Sequence, residues 1–546
     1  MMVGHGSRGG RPSRGQWGRC LALAALIPMA SSGLALAQAP AAKPVPAKAA
    51  PAKPWPTTPA AAAKPAPKPA TPPVLPVPAA PTPVPVLVIP PPPPPAQIPA
   101  LTAAQVQTAL TVLRAADLHG LQPKDYIPAG VPDSGALTPE QQAAFADGLV
   151  RYAHDVHIGR MDPGEFPELW AVRPQLYDPS HDLVKALAEG RLQAWLDSLP
   201  PRYSGYAALK RGLARYRDIA AKGGWKPIPE GKPMALGSKD PRAAALRTRL
   251  AAEDPLVPTA GVGFDKPLQE AVQRAQRRFG VRPDGVAGKE LIGYLNQPIG
   301  QRILQIVANM ERWRWLPAAM PATRVQVNSG AAIVTLFRDD KPVLSMKAVS
   351  GRPGDETPML MSAIHSVVFN PPWNVPTGIA QKELWPKEKA NPGYLAAHGY
   401  RIIPVEGGQP RLQQASGDDS ALGRFKFDFD NPFAVYLHDT PSKGGFNAFA
   451  RQASHGCVRL EHPRALAEAL LEGDTTWTSE AIDTQLEGDK TVRARLAVQV
   501  PVFIFYWTAF GGTDGQMQFR SDPYDWDRDL LQRVGVLAKV QVAAKG

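Results

Sequence analysis

Between residues 38 and 99 the chain is built almost wholly from Ala, Pro, Lys and Val, and it closes with an unbroken proline run at 90–95. Such a stretch has little to bury and cannot offset the entropy of ordering its backbone, so it reads as an extended, partly polyproline II linker. At ~3 Å per residue a segment of this kind reaches well over 100 Å. It is either a plain spacer or a tether that lets a globular part search a surface. Whatever folds must lie beyond it, and the roughly 450 residues there are too many for one core, which predicts two to four domains.

Ahead of the linker, Arg8, Arg11, Arg14 and Arg19 lead into an apolar segment over 21–36. Pro28, Ser31, Ser32 and Gly33 interrupt it, leaving it short of the ~20 apolar residues a spanning helix needs. Ala35-Leu36-Ala37 places small residues where an export peptidase reads. The expectation is a signal peptide over 1–37, cleavage before Gln38, a periplasmic location and no membrane span afterwards. The formal net charge is +13. An exported basic chain suits a carboxylate-rich wall or anionic lipid heads, and export argues against nucleic acid.

Residues 100–235 carry helical periodicity. Val106, Leu110, Leu113 and Leu118 recur at three-to-four spacing, and Tyr152, Val156 and Ile158 follow on a later segment. Thr138-Pro139 reads as a helix start, with the threonine capping and the proline in the first turn. His154 and His157 lack a carboxylate–histidine cluster of metal spacing, so they read as surface or satisfied histidines. A compact unit follows over 240–297. Leu246 to Leu250 opens one helix; Leu268, Ala271, Val272, Ala275 and Phe279 line a second that stops at Gly280; and Pro283-Asp284-Gly285 turns the chain into a short third. This arrangement resembles the small three-helix peptidoglycan-binding domain. A helical spacer with a tight turn is the competing reading.

From about residue 303 strand-like runs appear, at 324–327, 332–337, 344–349, 364–369, 434–437 and 498–507. They do not alternate regularly with helices, which predicts a largely antiparallel sheet. A mostly polar insertion over about 377–424 is too long for an idle loop and reads as a lid. Phe433, Val435 and Leu437 alternate with Tyr436 and His438, which sets the two ring-bearing polar residues on one strand face.

Cys20 belongs to the leader, which leaves Cys457 alone. A solitary thiol cannot form an internal disulfide or a multi-cysteine zinc site. It is either a small buried filler or a nucleophile. Ser454, His455 and Gly456 directly before it favour the nucleophile, because a core strand would not surround its filler with polar groups. His438 at a strand end can reach such a thiol, and an adjacent imidazole can favour thiolate. Backbone N–H groups around Gly456 and Cys457, at a turn into a helix starting near Pro463, could receive an oxyanion.

His438, a fifteen-residue gap and then Ser454-His455-Gly456-Cys457 resemble the signature of the L,D-transpeptidase (YkuD) family. Further segments resemble its large YcbB-like branch: Asn309 to Pro317, Phe369 to Pro376, Asn391 to Tyr394, Tyr436 to Pro441 and Tyr506 to Ala509. The chain departs from the usual pattern in having Val458 where Ile is common, and in a shorter insertion. The resemblance implies a multidomain α+β protein with a mainly antiparallel catalytic domain over 303–546, a helical scaffold and a peptidoglycan-binding unit. It implies Cys457 as nucleophile, His438 as general base and acid, and His455, Gly456 and Cys457 as backbone donors to the oxyanion. Tyr436, Arg459, Ser454 and Trp373 would line or brace the substrate groove. The partners implied are peptidoglycan stem peptides, a tetrapeptide donor and a diaminopimelate acceptor, with no metal or organic cofactor. Hydrolysis, protein attachment to the wall and a non-catalytic wall-binding scaffold stand as alternatives.

Overall fold

The computed structural model describes residues 94–133, 135–261 and 263–538. The expected signal peptide, Cys20 and all of the linker up to residue 93 lie outside the described residues.

Five helices open the described chain: α1 (Ala103–Arg114), α2 (Pro139–Ile158), α3 (Ser180–Ala188), α4 (Leu192–Ser198) and α5 (Ser204–Ala221). Thr102 and Thr138 each cap a helix through a reciprocal box with the glutamine three residues on. Leu118 departs from the expected apolar face: α1 ends at Arg114, and Leu118 is 40% exposed. Gly120, with φ 72°, turns the chain there and sends Leu121 into the core instead. The next three helices are α6 (Arg242–Ala251), α7 (Lys266–Phe279) and α8 (Lys289–Leu295), with Gly280 ending α7 in the left-handed conformation. The long α9 (Ile299–Arg314) then carries ten buried residues, Glu311, Arg312 and Arg314 among them.

The strands follow: β1 (Arg324–Asn328), β2 (Ile333–Arg338), β3 (Lys341–Gly351) and β4 (Leu360–Phe369). The insertion begins with β5 (Trp373–Asn374) and continues through α10 (Thr377–Ile379), a π-helical turn (Ala380–Leu384), α11 (Trp385–Ala390) and α12 (Tyr394–Ala397). It ends with β6 (Tyr400–Ile403) and β7 (Arg411–Gln414). The chain returns to the main sheet as β8 (Phe425–Phe429), β9 (Leu437–His438), β10 (Gln452–Ser454) and β11 (Val458–Leu460). It finishes with α13 (Pro463–Leu470), α14 (Ser479–Glu487), β12 (Val492–Phe505), the hairpin β13 (Ala509–Gly511) and β14 (Met517–Phe519), and α15 (Trp526–Arg533).

The main sheet runs β10-β3-β11-β9-β8-β4-β12-β1-β2, and β2 also pairs with β3, so the sheet closes on itself. Most pairings are antiparallel, as expected; β1–β12, β10–β3 and β11–β9 are parallel. Val325, Val327, Val334, Leu336, Ile364, Val367, Phe427 and Leu437 fill its interior.

Two expectations change. The run at 434–437 forms a strand only over Leu437–His438, because Ala434 has φ 53°. Asn431 winds the preceding segment into a turn: its Oδ1 accepts from Phe433 N and Val435 N, while its Nδ2 donates to Phe429 O and Val435 O. The insertion, read as mostly polar, is an ordered substructure. It has a three-stranded sheet, β5-β7-β6, and a small core of Val375, Ala380, Leu384, Leu395 and Leu412. Those five apolar residues are scattered without a period, which hid them.

Candidate active site

The site is assembled where β9 and β11 run side by side. Their parallel register sets Val458 opposite Leu437 and Arg459 opposite His438. Side chains alternate along a strand, so Cys457 and Arg459 share the face that carries Tyr436 and His438. Cys457 is half-buried and free, and its thiol lies 3.9 Å from the Ala434 carbonyl. The Tyr436 and His438 rings meet edge to face with centroids 5.5 Å apart. His438 is 4% exposed, and its Nδ1 has no hydrogen-bond partner.

Burial shapes the electrostatics. It pushes the His438 imidazole down to about 3, with the Arg459 guanidinium acting in the same sense and the Asp439 backbone opposing. The Cys457 thiol is pushed up, burial again being the largest cause, with the Tyr436 backbone and phenol working against it. Both groups are therefore neutral near pH 7. At the sulfur, desolvation outweighs the nearby positive charges of Lys426 and Arg459. A neutral imidazole with a free nitrogen is a competent proton acceptor.

The turn before the cysteine is tied down from several sides. Gly456 has φ 104°, a conformation open to glycine and strained for other residues. Its N–H donates to Ser454 Oγ at 3.2 Å, and its carbonyl accepts from Thr357 Oγ1 at 2.7 Å. Ser454 Oγ donates to the Cys457 carbonyl. Thr357 in turn accepts from Gly351 N, and Tyr524 donates to the Gly351 carbonyl. Sequence reasoning missed Thr357 and Tyr524. Neither carries a motif of its own, and both reach the turn only through the closed fold.

The other expected residues scatter more. Arg459 is partly buried, and its Nε has no partner. Burial pushes the Tyr436 phenol up, with Cys457 the next cause, and Lys426 Nζ sits 4.4 Å from its ring centroid. Trp373 packs against the insertion's core and lies tilted to Tyr400. His455 points to the insertion, where its Nε2 meets Glu383 Oε1 at 2.7 Å. Asp439 is occupied elsewhere, accepting from Arg424 N, Thr440 N and Lys443 Nζ. Among the described residues no group of three His, Cys, Asp or Glu side chains is arranged to hold a metal ion.

Fold and site together describe a closed β-sheet domain built around one cysteine and one histidine. Comparison with known families gives that description a name: residues 322–480 match the L,D-transpeptidase catalytic domain (YkuD), and residues 99–213 match the Scaffold domain. The chain thus carries a catalytic domain of the L,D-transpeptidase family beside a Scaffold domain. A provisionally named L,D-transpeptidase of Haemophilus influenzae is 34% identical over 242 residues, which cover 41% of this chain and 48% of that protein. The match thus spans about half the length of that relative. Among solved structures, an L,D-transpeptidase from Xylanimonas cellulosilytica is 16% identical over 51% of this chain and 100% of its own, with TM-score 0.18. One from Stackebrandtia nassauensis is 14% identical over 51% of this chain and 96% of its own, with TM-score 0.21.

Proposed function

We propose that the protein is a peptidoglycan L,D-transpeptidase that links third-position diaminopimelate residues of neighbouring stem peptides through a cysteine thioester. The observation that carries this reading is the half-buried free thiol of Cys457, on a glycine turn beside the strand that bears a neutral His438 whose Nδ1 has no hydrogen-bond partner. As the sulfur attacks the carbonyl of the third residue of a tetrapeptide, His438 takes the thiol proton. It returns that proton to the departing D-alanine amine. Backbone N–H groups of the turn receive the developing oxyanion, those of His455 and Cys457 directly and that of Gly456 on leaving Ser454 Oγ. The side-chain amine of a second stem then attacks the thioester, His438 again accepting a proton, and the thiol is regenerated. Tyr436, Arg459, Ser454 and Trp373 line or brace the groove, and the unit over 240–297 holds the wall. The reaction takes place in the periplasm after removal of the leader, and needs no cofactor.

The test is digestion of purified disaccharide-tetrapeptide by the wild-type chain and by Cys457→Ala, read by mass spectrometry. The expected result is third-to-third dimer from the wild type and none from the variant. Dimer formation by Cys457→Ala would overturn the assignment, as would a wild-type product that is only hydrolysed stem.

A further inference from the structure

The turn that carries Cys457 is tethered by the main sheet domain at Ser454 and Gly456, but its remaining residue, His455, is held by the insertion. The holding group is Glu383, whose Oε1 lies 2.7 Å from His455 Nε2. A carboxylate only accepts, so His455 Nε2 is the donor in this pair. Glu383 sits in the π-helical turn Ala380–Leu384, a rare geometry that is frequent at functional positions. Its flanking residues Ala380 and Leu384 are buried in the insertion's own core, so the carboxylate is presented from a fixed base. Arg352, just past the end of β3, completes the contact: its Nη2 approaches Glu383 Oε1 at 3.5 Å, and its backbone N–H donates to the Ser454 carbonyl at 2.9 Å. Its Nε is anchored on Asp355 at 2.7 Å. The hydrogen bond to His455 draws the Glu383 carboxyl below its ordinary range, opposed by partial burial and helped by Arg352.

We infer that Glu383 is a positioning residue for acyl transfer: by fixing His455 it sets the backbone of the turn that faces the oxyanion, so the thiol reaches full competence only with the insertion docked. This rests on the reading of Cys457 as the acylated group. Glu383 touches neither the thiol nor His438, and it acts through His455. Gln at this position keeps a carbonyl that can accept from Nε2, whereas Ala keeps nothing.

The experiment uses the full chain with Glu383→Gln, Glu383→Ala, His455→Ala and the double variant Glu383→Ala/His455→Ala. Covalent addition of a carbapenem to Cys457 is followed by stopped flow and intact mass, and labelling of the same thiol by iodoacetamide serves as a control. The plateau acylation rate of Glu383→Ala is expected to fall about tenfold, the scale of one charge-assisted hydrogen bond. The half-saturating carbapenem concentration should hold, iodoacetamide labelling should be at least as fast, and Glu383→Gln should restore most of the rate. Glu383→Ala should add nothing to His455→Ala, whereas a merely structural role would give additive losses. A wild-type plateau in Glu383→Ala, additive effects, or acylation and alkylation falling together would overturn the inference. If iodoacetamide labels wild-type Cys457 while no carbapenem adduct forms, the acyl-transfer reading itself fails, and the Glu383 role with it. Failure of Glu383 alone leaves the wild-type adduct in place.

Discussion

Two buried histidines each add to the acid sensitivity of this protein. His119 is pushed down to about 3, by burial first and then by Lys210 and Arg314, and its Nδ1 lies 3.0 Å from the Tyr206 hydroxyl. His438 is depressed to a similar value. Each stays neutral when folded but takes up a proton when unfolded below its ordinary pKa of about 6.5. Between roughly pH 6.5 and 3 the unfolded state therefore binds more protons, and stability falls as pH falls. The limiting slope is about 1.4 kcal/mol per pH unit for each histidine. Urea midpoints measured from pH 7 to pH 4 should decline, and His119→Gln should flatten the decline; an unchanged slope in that variant would contradict the assignment. Acylation should behave differently. Because His438 is already neutral and Cys457 is raised, base-assisted acylation should stay level through the neutral range, and His438→Gln should lower it at least about 100-fold, the scale of general-base catalysis. At this scale the sequence was most legible. Cys457 and His438 announce themselves by chemistry and spacing, but their protonation states do not, since those depend on burial that no local pattern encodes.

At the scale of elements, the short β9 owes its place to Asn431. The four hydrogen bonds of that side chain shape the turn from Phe429 to Val435, after which the chain enters β9 and delivers His438. Asn431→Ala should cost roughly 2–4 kcal/mol, at about 1 kcal/mol for each hydrogen bond. The loss of carbapenem acylation should exceed what unfolding explains; circular dichroism melts with rates taken well below the transition would show it. An Ala variant with wild-type stability would remove Asn431 from that role. Here reading the sequence succeeded for helices and long strands, where caps and periods are strong: the Thr138 cap, the face of α7 and its stop at Gly280. It failed where a side chain overrides alternation. The run from Phe433 to Leu437 has the period of a strand, yet Ala434 sits at positive φ because Asn431 satisfies the backbone locally.

At the scale of the molecule, the segments that read as separate units meet in one shared apolar cluster. Trp170 stacks on Trp315 and meets Trp526 edge-on, and the same cluster takes in Leu246 and Phe279 as well as Tyr506. Backbone bonds between Leu169, Ala171 and Met359 stitch the helical segment to the start of β4. Charges follow the same seam: Glu311 on α9 is fully buried between Arg160 and Arg314, and Arg314 also reaches the His119 carbonyl. Removing one partner leaves buried charge uncompensated, so Glu311→Ala should cost about 3–5 kcal/mol. Thermal unfolding monitored by tryptophan fluorescence would register it, and a loss under 1 kcal/mol would show the pair to be hydrated instead. This shared interior was invisible in the sequence, because each helix shows that it has an apolar face but not what covers it.

The Trp170 cluster also bears on how such a chain is made. Phe166 and Trp170 leave the ribosome long before Trp526 is synthesised, so the helical part of that cluster lacks its last partners until translation is nearly done. Until then the apolar faces that this cluster covers lie open on the nascent chain. A premature stop between Phe505 and Trp526 would release a protein whose main sheet is complete but whose shared cluster lacks Trp526, Leu530 and Leu531 and lies open to water.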